Sequence, residues 1–472
     1  MTTPLWQWDE LVAAAHGRPD GTPAAAITGF SIDSRTLSPG DVFVALQAAR
    51  DGHAFVGDAF AAGAAAALVS KGYRRGRNDA ALLRTDNALA ALEAVGRAAR
   101  IRSNARIVAV TGSVGKTGTK EMLRLCLAEV GAVHAAQKSY NNQWGVPLTL
   151  AGMPQAVDFA VFEIGMNHAG EIAPLAGLVR PHAVVITTVE PVHLQYFASV
   201  EEIAEAKAEI LQGLVPGGSA VLPHDNPHFP LLRERASGVG ARVASFGYGE
   251  GADVRCIQAA MDARSSAVIA GAGTLRFPYR VGAPGEHYVK NSLAVLAALT
   301  ALGVDAMRCL PALARVAAPQ GRGARVVLDG PGGGRILLID ESYNANPASV
   351  RAALAAMATV ARQDFPRRIA VLGDMLELGP GSADLHRSLK EAVDAAGIDL
   401  VFACGPMMQM LFDQLQPARQ GAWTEASAQL TPPLLDAVRE GDVVMVKGSL
   451  ATRMAPLVEA VQARFSKVGS SG

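Results

Sequence analysis

A lysine and a threonine, Lys116 and Thr117, follow a glycine turn and open a helical pattern, a combination that can hold phosphate. The preceding run Ile107-Val108-Ala109-Val110 is β-branched and reads as a buried strand. The turn is Thr111-Gly112-Ser113-Val114-Gly115, and a helical pattern extends from Gly118 to Val130. Glycines let backbone N–H groups approach phosphate oxygens, and a helix N-terminus adds partial positive charge. Lys116 is placed to neutralise terminal phosphates, and the Thr117 hydroxyl to ligate magnesium. The spacing is T-G-S-x-G-K-T, because Val110 stands where the commonest phosphate loop has glycine. An incidental glycine turn is the plain alternative, and the strand–turn–helix context speaks against it.

Three further side chains have chemistry to offer. The run Phe159–Glu163 is a strand ending on a carboxylate, and ligands of parallel sheets gather beyond such ends. Glu163 is therefore expected to be a magnesium ligand or a water-positioning acid, the alternative being a solvent-facing strand edge. His193 follows the strand pattern 183–189 and is either a metal ligand or a structural histidine. Lys207 lies on a helical pattern from Val200 to Leu214, with Ile203, Ala204, Ile210 and Leu211 at helical spacing around it. It thus falls on the apolar face without an acidic partner. A buried lysine tends to lose its proton, and a neutral amine can take up carbon dioxide to become a carbamate with oxygen donors for magnesium. A lysine that snorkels to water is the other reading.

The elements needed to position these groups are those of an α/β enzyme. A chain of 472 residues is too long for one core and implies about three domains. The 43 basic and 43 acidic residues cancel, so no global field favours nucleic acid or an anionic membrane. Cys126, Cys256, Cys309 and Cys404 lie far apart in apolar runs, without metal spacing, and read as reduced core thiols. The first residues show no signal-peptide pattern, and the Ala-rich run 59–69 is too short to span a bilayer; a cytoplasmic protein is expected.

Residues 1–84 predict a small N-terminal α/β domain: a helix over 9–16, strands at Ile32, 42–46 and 67–69, and a helix over 58–66. It carries two polar clusters, Asp33-Ser34-Arg35 and Arg50-Asp51-Gly52-His53, either of which can be an ordinary surface turn. Residues 85–320 predict a central phosphate-loop parallel sheet with helices, entered through a helix bearing Leu89, Leu92, Val95 and Ala98. Antiparallel strands are expected over 245–281. Residues 321–472 predict a Rossmann-like α/β domain whose strands alternate with helices. Polar strings follow its strand ends: Asp340–Pro347, Gly373–Gly379 and Lys447-Gly448-Ser449. The tail 466–472 reads as unstructured.

These strings together resemble the Mur ligase family, ATP-dependent amide-forming enzymes of peptidoglycan precursor synthesis. The phosphate loop Thr111–Thr117 and the segment Ala206-Lys207-Ala208-Glu209 carry the family likeness. Ser342-Tyr343-Asn344-Ala345-Asn346-Pro347 and Gly373-Asp374-Met375-Leu376-Glu377-Leu378-Gly379 carry the subtype, and the Asp-Asn-Pro-Arg string of the third-residue-adding sibling is absent. The resemblance implies a UDP-N-acetylmuramoyl-tripeptide as carboxylate substrate and D-alanyl-D-alanine as amine. It implies ATP with two Mg2+ ions, a carbamylated Lys207, and no nucleic acid or membrane partner in what is expected to be a monomer.

By the same likeness, Ser34 and Arg35 would meet the UDP end. Asn141 and Asn142 match a pair near the phosphates and acceptor. Residues 111–117 would cradle ATP phosphates, with Thr117, Glu163, His193 and Lys207 as metal ligands. His287, Asn291, Arg322, Asp340, Tyr343 and Asn344 would lie around adenine, ribose and phosphates. Two positions depart from the pattern: Tyr288 stands where asparagine is usual, and Leu450 where arginine is common, with Arg453 offering a replacement charge. The alternatives are another amide ligase of this architecture, folylpolyglutamate synthase, and a nucleotide-hydrolysing switch.

Overall fold

The structure, a computed structural model, describes residues 4–136, 138–262, 264–330 and 332–465. The tail 466–472 lies outside the described residues. Among the described residues, three sheets follow one another in sequence order, and each is covered by helices.

The first sheet contains β1 (Arg18–Asp20), β2 (Gly29–Ser31), β3 (Asp41–Val44), β4 (Ala66–Ser70) and β5 (Leu82–Thr85), in the order β1-β5-β4-β3-β2. Only the β1–β5 pair is antiparallel. Its helix Val56–Ala61 is shorter than the 58–66 expected from sequence. Gly63 turns the chain at φ 97°, and Ala64–Ala67 are drawn into the sheet and its core, where strand burial outweighs alanine's helix preference. Ile32 likewise falls just outside β2.

The central sheet has β6 (Arg106–Thr111), β7 (Val133–Ala135), β8 (Phe159–Glu163), β9 (Ala183–Ile186), β10 (Ser219–Pro223), β11 (Arg242–Gly247), β12 (Val254–Met261), β13 (Ser266–Ala272) and β14 (Leu275–Val281). Their order is β14-β13-β12-β11-β10-β9-β6-β8-β7. The chain leaves β6 towards β7 and β8, then returns to β9 on the other side, so the β6 end is a topological switch point. Strands β7 to β12 run parallel, and only β12, β13 and β14 form the antiparallel extension. The stretch 245–247 expected to join it belongs to the parallel part, through β11.

The helix Glu286–Ala301 packs against this sheet and buries Val289, Leu293, Val295, Leu296 and Leu299. Each such side chain contributes about 1.5–3 kcal/mol. That burial fixes the rotation of the helix, which sets its first turns beside the phosphate loop. The pattern 200–214 divides into an α-helix, Val200–Ala208, and a 3-10 turn, Glu209–Gly213. The turn tightens where Gly213 packs directly on the Ala176 backbone.

The third sheet has β15 (Ala324–Asp329), β16 (Arg335–Glu341), β17 (Arg367–Gly373), β18 (Leu400–Cys404), β19 (Gln420–Thr424) and β20 (Asp442–Lys447), ordered β15-β16-β20-β17-β18-β19. All neighbours are parallel except β15 with β16. The first unit is tied to the second by a shared apolar cluster that joins Trp6, Leu11 and Val44 to Leu92, Val95 and Leu148. Trp6 Nε1 donates to Ala151 O at 2.9 Å, and the Arg102 guanidinium lies 3.4 Å from the Trp6 ring centre. Among the described residues, no helix is long and apolar enough to cross a membrane.

Candidate active site

The loop after β6 makes the floor of the site. Gly112 has φ 147° and Gly115 φ 86°, conformations that side chains rarely adopt. Space is as restrictive as the backbone. A Cβ at Gly112 would collide with Thr187 Oγ1, and one at Gly115 would come within 2.7 Å of Asn291 Oδ1. Thr187 Oγ1 donates to Val114 O at 2.5 Å, while Ser113 Oγ accepts from Glu190 N at 2.9 Å. The loop is thus stitched to the segment after β9. Lys116 starts the helix Lys116–Leu127, and its Nζ donates to Gly112 O at 2.7 Å. Burial pushes the Lys116 ammonium below its ordinary range and Arg322 adds to this, while Glu163 opposes it.

Gly112→Ala is expected to distort this loop. Overpacking of a tight site costs about 1–3 kcal/mol, and the β-carbon also meets an unfavourable φ. Nucleotide affinity should fall at least tenfold by calorimetric titration with ADP, while far-ultraviolet dichroism stays native. Wild-type affinity in the variant would show that the loop does not hold phosphate.

Glu163, the last residue of β8, is 2% exposed. It accepts from Thr117 Oγ1 at 2.9 Å and from Asn141 Nδ2 at 2.7 Å. Ser139 Oγ lies 3.2 Å from Thr117 Oγ1. Asn142 turns the adjoining loop, its Oδ1 accepting from Gly145 N at 2.9 Å. The Thr117 and Ser139 hydroxyls and the Glu163 carboxylate therefore converge, oxygen donors suited to a hard cation such as Mg2+. Among the described residues no group of three or more His, Cys, Asp or Glu is assembled for a metal, so the fit depends on this mixed set.

Lys207 is 2% exposed and, among the described residues, its side chain makes no hydrogen bond or ion pair. Its head does not snorkel to water. Burial, reinforced by the Lys116 charge, pushes it well below the ordinary lysine range. An unpartnered amine biased against its charged form, beside a phosphate loop, fits a carbamate better than an ammonium. Lys207 lines neither cavity of the site, whereas His193 lines the one it shares with the phosphate loop, and burial pulls the His193 imidazole down towards the neutral, metal-binding form.

The cavity above this floor has a volume of about 1100 Å³ and is walled by both the second and third units. Ser113 to Lys116, Asn141, Asn142, Glu163 and His193 come from one side; Arg322, Tyr343 and Asn344 come from the other. His287 and Asn291 enter from the helix Glu286–Ala301. The Arg322 guanidinium lies 4.1 Å from the Tyr343 ring centre, within cation–π range. Tyr288, unusual at its position, donates its hydroxyl to Arg322 O at 3.0 Å and ties the two units together. Lys447 Nζ donates to Asn344 O at 3.0 Å and to Glu341 Oε2 at 3.2 Å, fixing the loop after β16.

Several expected residues stand elsewhere. Thr111 is fully buried and Gly112 faces Thr187, so neither lines the cavity. Thr117 opens instead onto an adjoining cavity of about 810 Å³. Asp340 points away from the main cavity and accepts from Gly321 N at 2.9 Å and Ser342 Oγ at 2.6 Å, clamping the turn that presents Arg322. Leu450 lies on the cavity wall, but Arg453 does not, so it does not restore the charge there.

Ser34 and Arg35 lie outside both cavities, and exposed Arg35 pairs with Asp33 at 2.7 Å. That pairing, aided by the Lys138 charge, holds the Asp33 carboxyl down to about 2. The Arg50–His53 cluster is structural, with His53 Nε2 accepting from Ser70 N at 2.9 Å. Ser139, Thr187, Glu341 and Glu377 are contributors not singled out from sequence. Glu341 and Glu377 stood inside the polar strings Asp340–Pro347 and Gly373–Gly379, but only tertiary contacts distinguish them from their neighbours.

A phosphate loop at a switch point, roofed by a third parallel sheet, defines an amide-ligase class of nucleotide enzyme, and the chain belongs to the Mur ligase family. Residues 110–299 match the Mur ligase middle domain, and residues 326–450 match the Mur ligase glutamate ligase domain. The UDP-N-acetylmuramoyl-tripeptide–D-alanyl-D-alanine ligase of Escherichia coli (strain K12) is 33% identical over 442 residues, covering 92% of this chain and 94% of that one. MurF from Acinetobacter baumannii is structurally similar with a TM-score of 0.82 at 29% identity, covering 96% and 98% of the two chains. MurF ligase from Thermotoga maritima, solved in complex with ADP, gives 0.75 at 26% identity, covering 93% and 98%.

Proposed function

We propose that the protein ligates D-alanyl-D-alanine to a UDP-N-acetylmuramoyl-tripeptide with hydrolysis of ATP to ADP and phosphate. The observation that carries this is the convergence, on one cavity, of the phosphate loop with two polar strings of the third unit, Asp340–Pro347 and Lys447-Gly448-Ser449; the Gly373–Gly379 string does not line it. Relatives of that named activity match the chain over more than nine-tenths of its length. A folylpolyglutamate synthase leaves the first sheet and its Asp33-Ser34-Arg35 cluster without a task. A nucleotide switch leaves the third unit's cavity wall without one.

The chemistry suits carboxylate activation. An oxygen of the tripeptide carboxylate attacks the γ-phosphorus of ATP; an O–P bond forms, the bond to the β-phosphate oxygen breaks, and ADP leaves. The amine of D-alanyl-D-alanine then attacks the acyl carbon through a tetrahedral intermediate. The C–N bond forms, the amine gives up a proton, and phosphate departs. Lys116 neutralises the transferring phosphate and the loop amides orient it, so positioning and charge supply most of the rate. Asn141 holds Glu163 in register and faces the acceptor side. Mg2+, when bound, supplies charge neutralisation at the phosphates; Thr117, Glu163, His193 and carbamylated Lys207 would hold it.

In the same proposal, His287, Asn291, Arg322, Tyr343 and Asn344 surround the nucleotide, with Asp340 supporting Arg322. Ser34 and Arg35 meet the UDP end, and closure of the third unit excludes water. Functional units of residues 1–84, 85–320 and 321–472, a monomeric state and a cytoplasmic location belong to the proposal too.

The test is phosphate release with ATP, magnesium, UDP-N-acetylmuramoyl-tripeptide and D-alanyl-D-alanine, each omitted in turn. Release should require all four, with a pentapeptide product by mass. Release that ignores the dipeptide would leave a nucleotide hydrolase and refute the assignment.

A further inference from the structure

Two non-glycine residues with left-handed backbone meet where the segment after β9 touches the third unit. His193, on the segment after β9, has φ 57°, and Glu377, on the loop after β17, has φ 63°. L-residues enter this region only when their surroundings hold them there, and such positions cluster at functional sites. The two side chains face one another, His193 Nδ1 lying 2.6 Å from Glu377 Oε2. The contact is continued by the backbone, with Gln195 N donating to Glu377 O at 3.2 Å. At Gly379, φ 66°, a Cβ would sit 2.9 Å from Leu194 O, so the two segments are in close contact.

Each side of this contact is anchored in its own unit. Leu376 N donates to Ser449 Oγ at 2.9 Å and Met375 N to His386 Nε2 at 3.0 Å, which fixes the Glu377 loop to the third sheet. On the other side, Glu190 is bonded to Ser113 of the phosphate loop in both directions, at 2.9 and 3.1 Å. The His193–Glu377 contact therefore closes a path of hydrogen bonds from the third unit to the phosphate loop.

An ionised carboxylate can only accept, so Nδ1 of a neutral His193 must carry the proton and Nε2 must keep its lone pair. Metal-binding histidines are characteristically oriented in this way by a carboxylate on the second nitrogen. We propose that Glu377 is a positioning residue: it holds His193 in the Nδ1–H tautomer that presents Nε2 to a divalent cation, and it does so only with the third unit closed. The inference rests on the metal-ligand reading of His193 given above. It adds that the cation site is completed by a residue of the third unit, so that cation affinity reports closure.

The test uses the full-length chain. Nitrogen-15 histidine spectra without metal or nucleotide should show His193 protonated on Nδ1, the resonance being assigned by its loss in His193→Ala. Glu377→Ala should shift His193 towards the Nε2–H form, and Glu377→Gln, which keeps an oxygen acceptor, should retain much of the original tautomer. In phosphate-release assays, Glu377→Ala should raise the magnesium concentration for half-maximal rate by roughly 10- to 100-fold, with a much smaller change in kcat at saturating magnesium. A purely structural role would lower thermal stability and kcat without moving either quantity.

Protonation on Nε2 in the wild-type protein, or unchanged magnesium half-saturation in Glu377→Ala, would overturn the proposal. Were Glu377→Ala to misfold, the wild-type spectrum and Glu377→Gln would still decide it. His193→Ala separates the two levels. If it too leaves magnesium half-saturation unchanged, the metal-ligand reading of His193 has failed; if it raises it and Glu377→Ala does not, only the positioning role has failed.

Discussion

Lys116→Ala is expected to reduce ATP-dependent phosphate release by on the order of 10³-fold, the scale of losing a preorganised charge at a developing anion. The ammonium occupies the loop itself, with Nζ held 2.7 Å from Gly112 O, and no carboxylate pairs with it among the described residues. It is free to exchange a carbonyl for a phosphate oxygen, a gain made only when nucleotide is present. Its removal should leave the fold intact. The lost hydrogen bond is a single one, and the like-charge repulsion from Lys207 and Arg322 disappears with it. The expected result is therefore native dichroism and an unfolding midpoint near that of the wild type, together with collapsed turnover. Lys116→Arg should not rescue fully, because a planar guanidinium is larger than the ammonium the loop encloses. A Lys116→Ala enzyme that keeps most of its rate would remove the phosphate loop from the chemistry.

The floor of the site was legible in sequence because it is local. Strand, glycine turn, Lys116-Thr117 and helix are contiguous, and Glu163 ends a run of apolar strand residues. Lys207 was legible for a different reason: helical spacing put four apolar neighbours around it, and burial follows from that face alone. The strand-end strings of the third unit indicated a ligand-facing edge, although spacing could not reveal that this edge would face the phosphate loop. That depends on how two sheets pack, which no local pattern encodes.

The misses share this cause. Asp340 has the residue type and strand-end position of a ligand-facing carboxylate, yet it turns inward because the Gly321 N–H and the Ser342 hydroxyl need an acceptor. Arg453 had the right charge at a plausible distance along the chain, but a left-handed residue at φ 53° redirects the backbone there. Glu377 was one of seven residues in a polar string, and only its meeting with His193 separates it from the rest. Tyr288 was a departure in sequence; in three dimensions its hydroxyl reaches Arg322 O, a bond between units that the length of a tyrosine makes possible. Element boundaries moved for smaller reasons, as at 58–66, where Gly63 and the buried edge of the first sheet end the helix early.

Lys207→Ala is the second large effect, a loss of turnover of on the order of 10²- to 10³-fold, with partial recovery on adding formate or acetate. The reasoning starts from energy. An unpaired ammonium in an apolar setting is costly, so the side chain gives up its proton and becomes a nucleophile towards carbon dioxide. The carbamate restores a charge, but an anionic one, next to the cationic Lys116. It would be stabilised there by the very groups that depress the amine. Short carboxylic acids should rescue Lys207→Ala because they return the carboxylate-like oxygens to the space the side chain vacates.

The pH dependence has a definite sign. Carbon dioxide adds only to the neutral amine, and Lys207 is displaced well below the ordinary lysine range, so a substantial neutral fraction persists towards neutral pH. Activation of decarboxylated wild-type enzyme by bicarbonate should weaken as pH falls, when protons compete for the nitrogen, while Lys207→Ala should show no bicarbonate response at any pH. Lys207→Met distinguishes this chemistry from packing. It fills much of the same volume in an apolar environment, so it should preserve or raise the unfolding midpoint while remaining as inactive as the alanine variant. A Met variant with near-normal turnover would mean that Lys207 serves only as an apolar spacer, and the carbamate would have to be abandoned even if every other residue in the cavity kept its role.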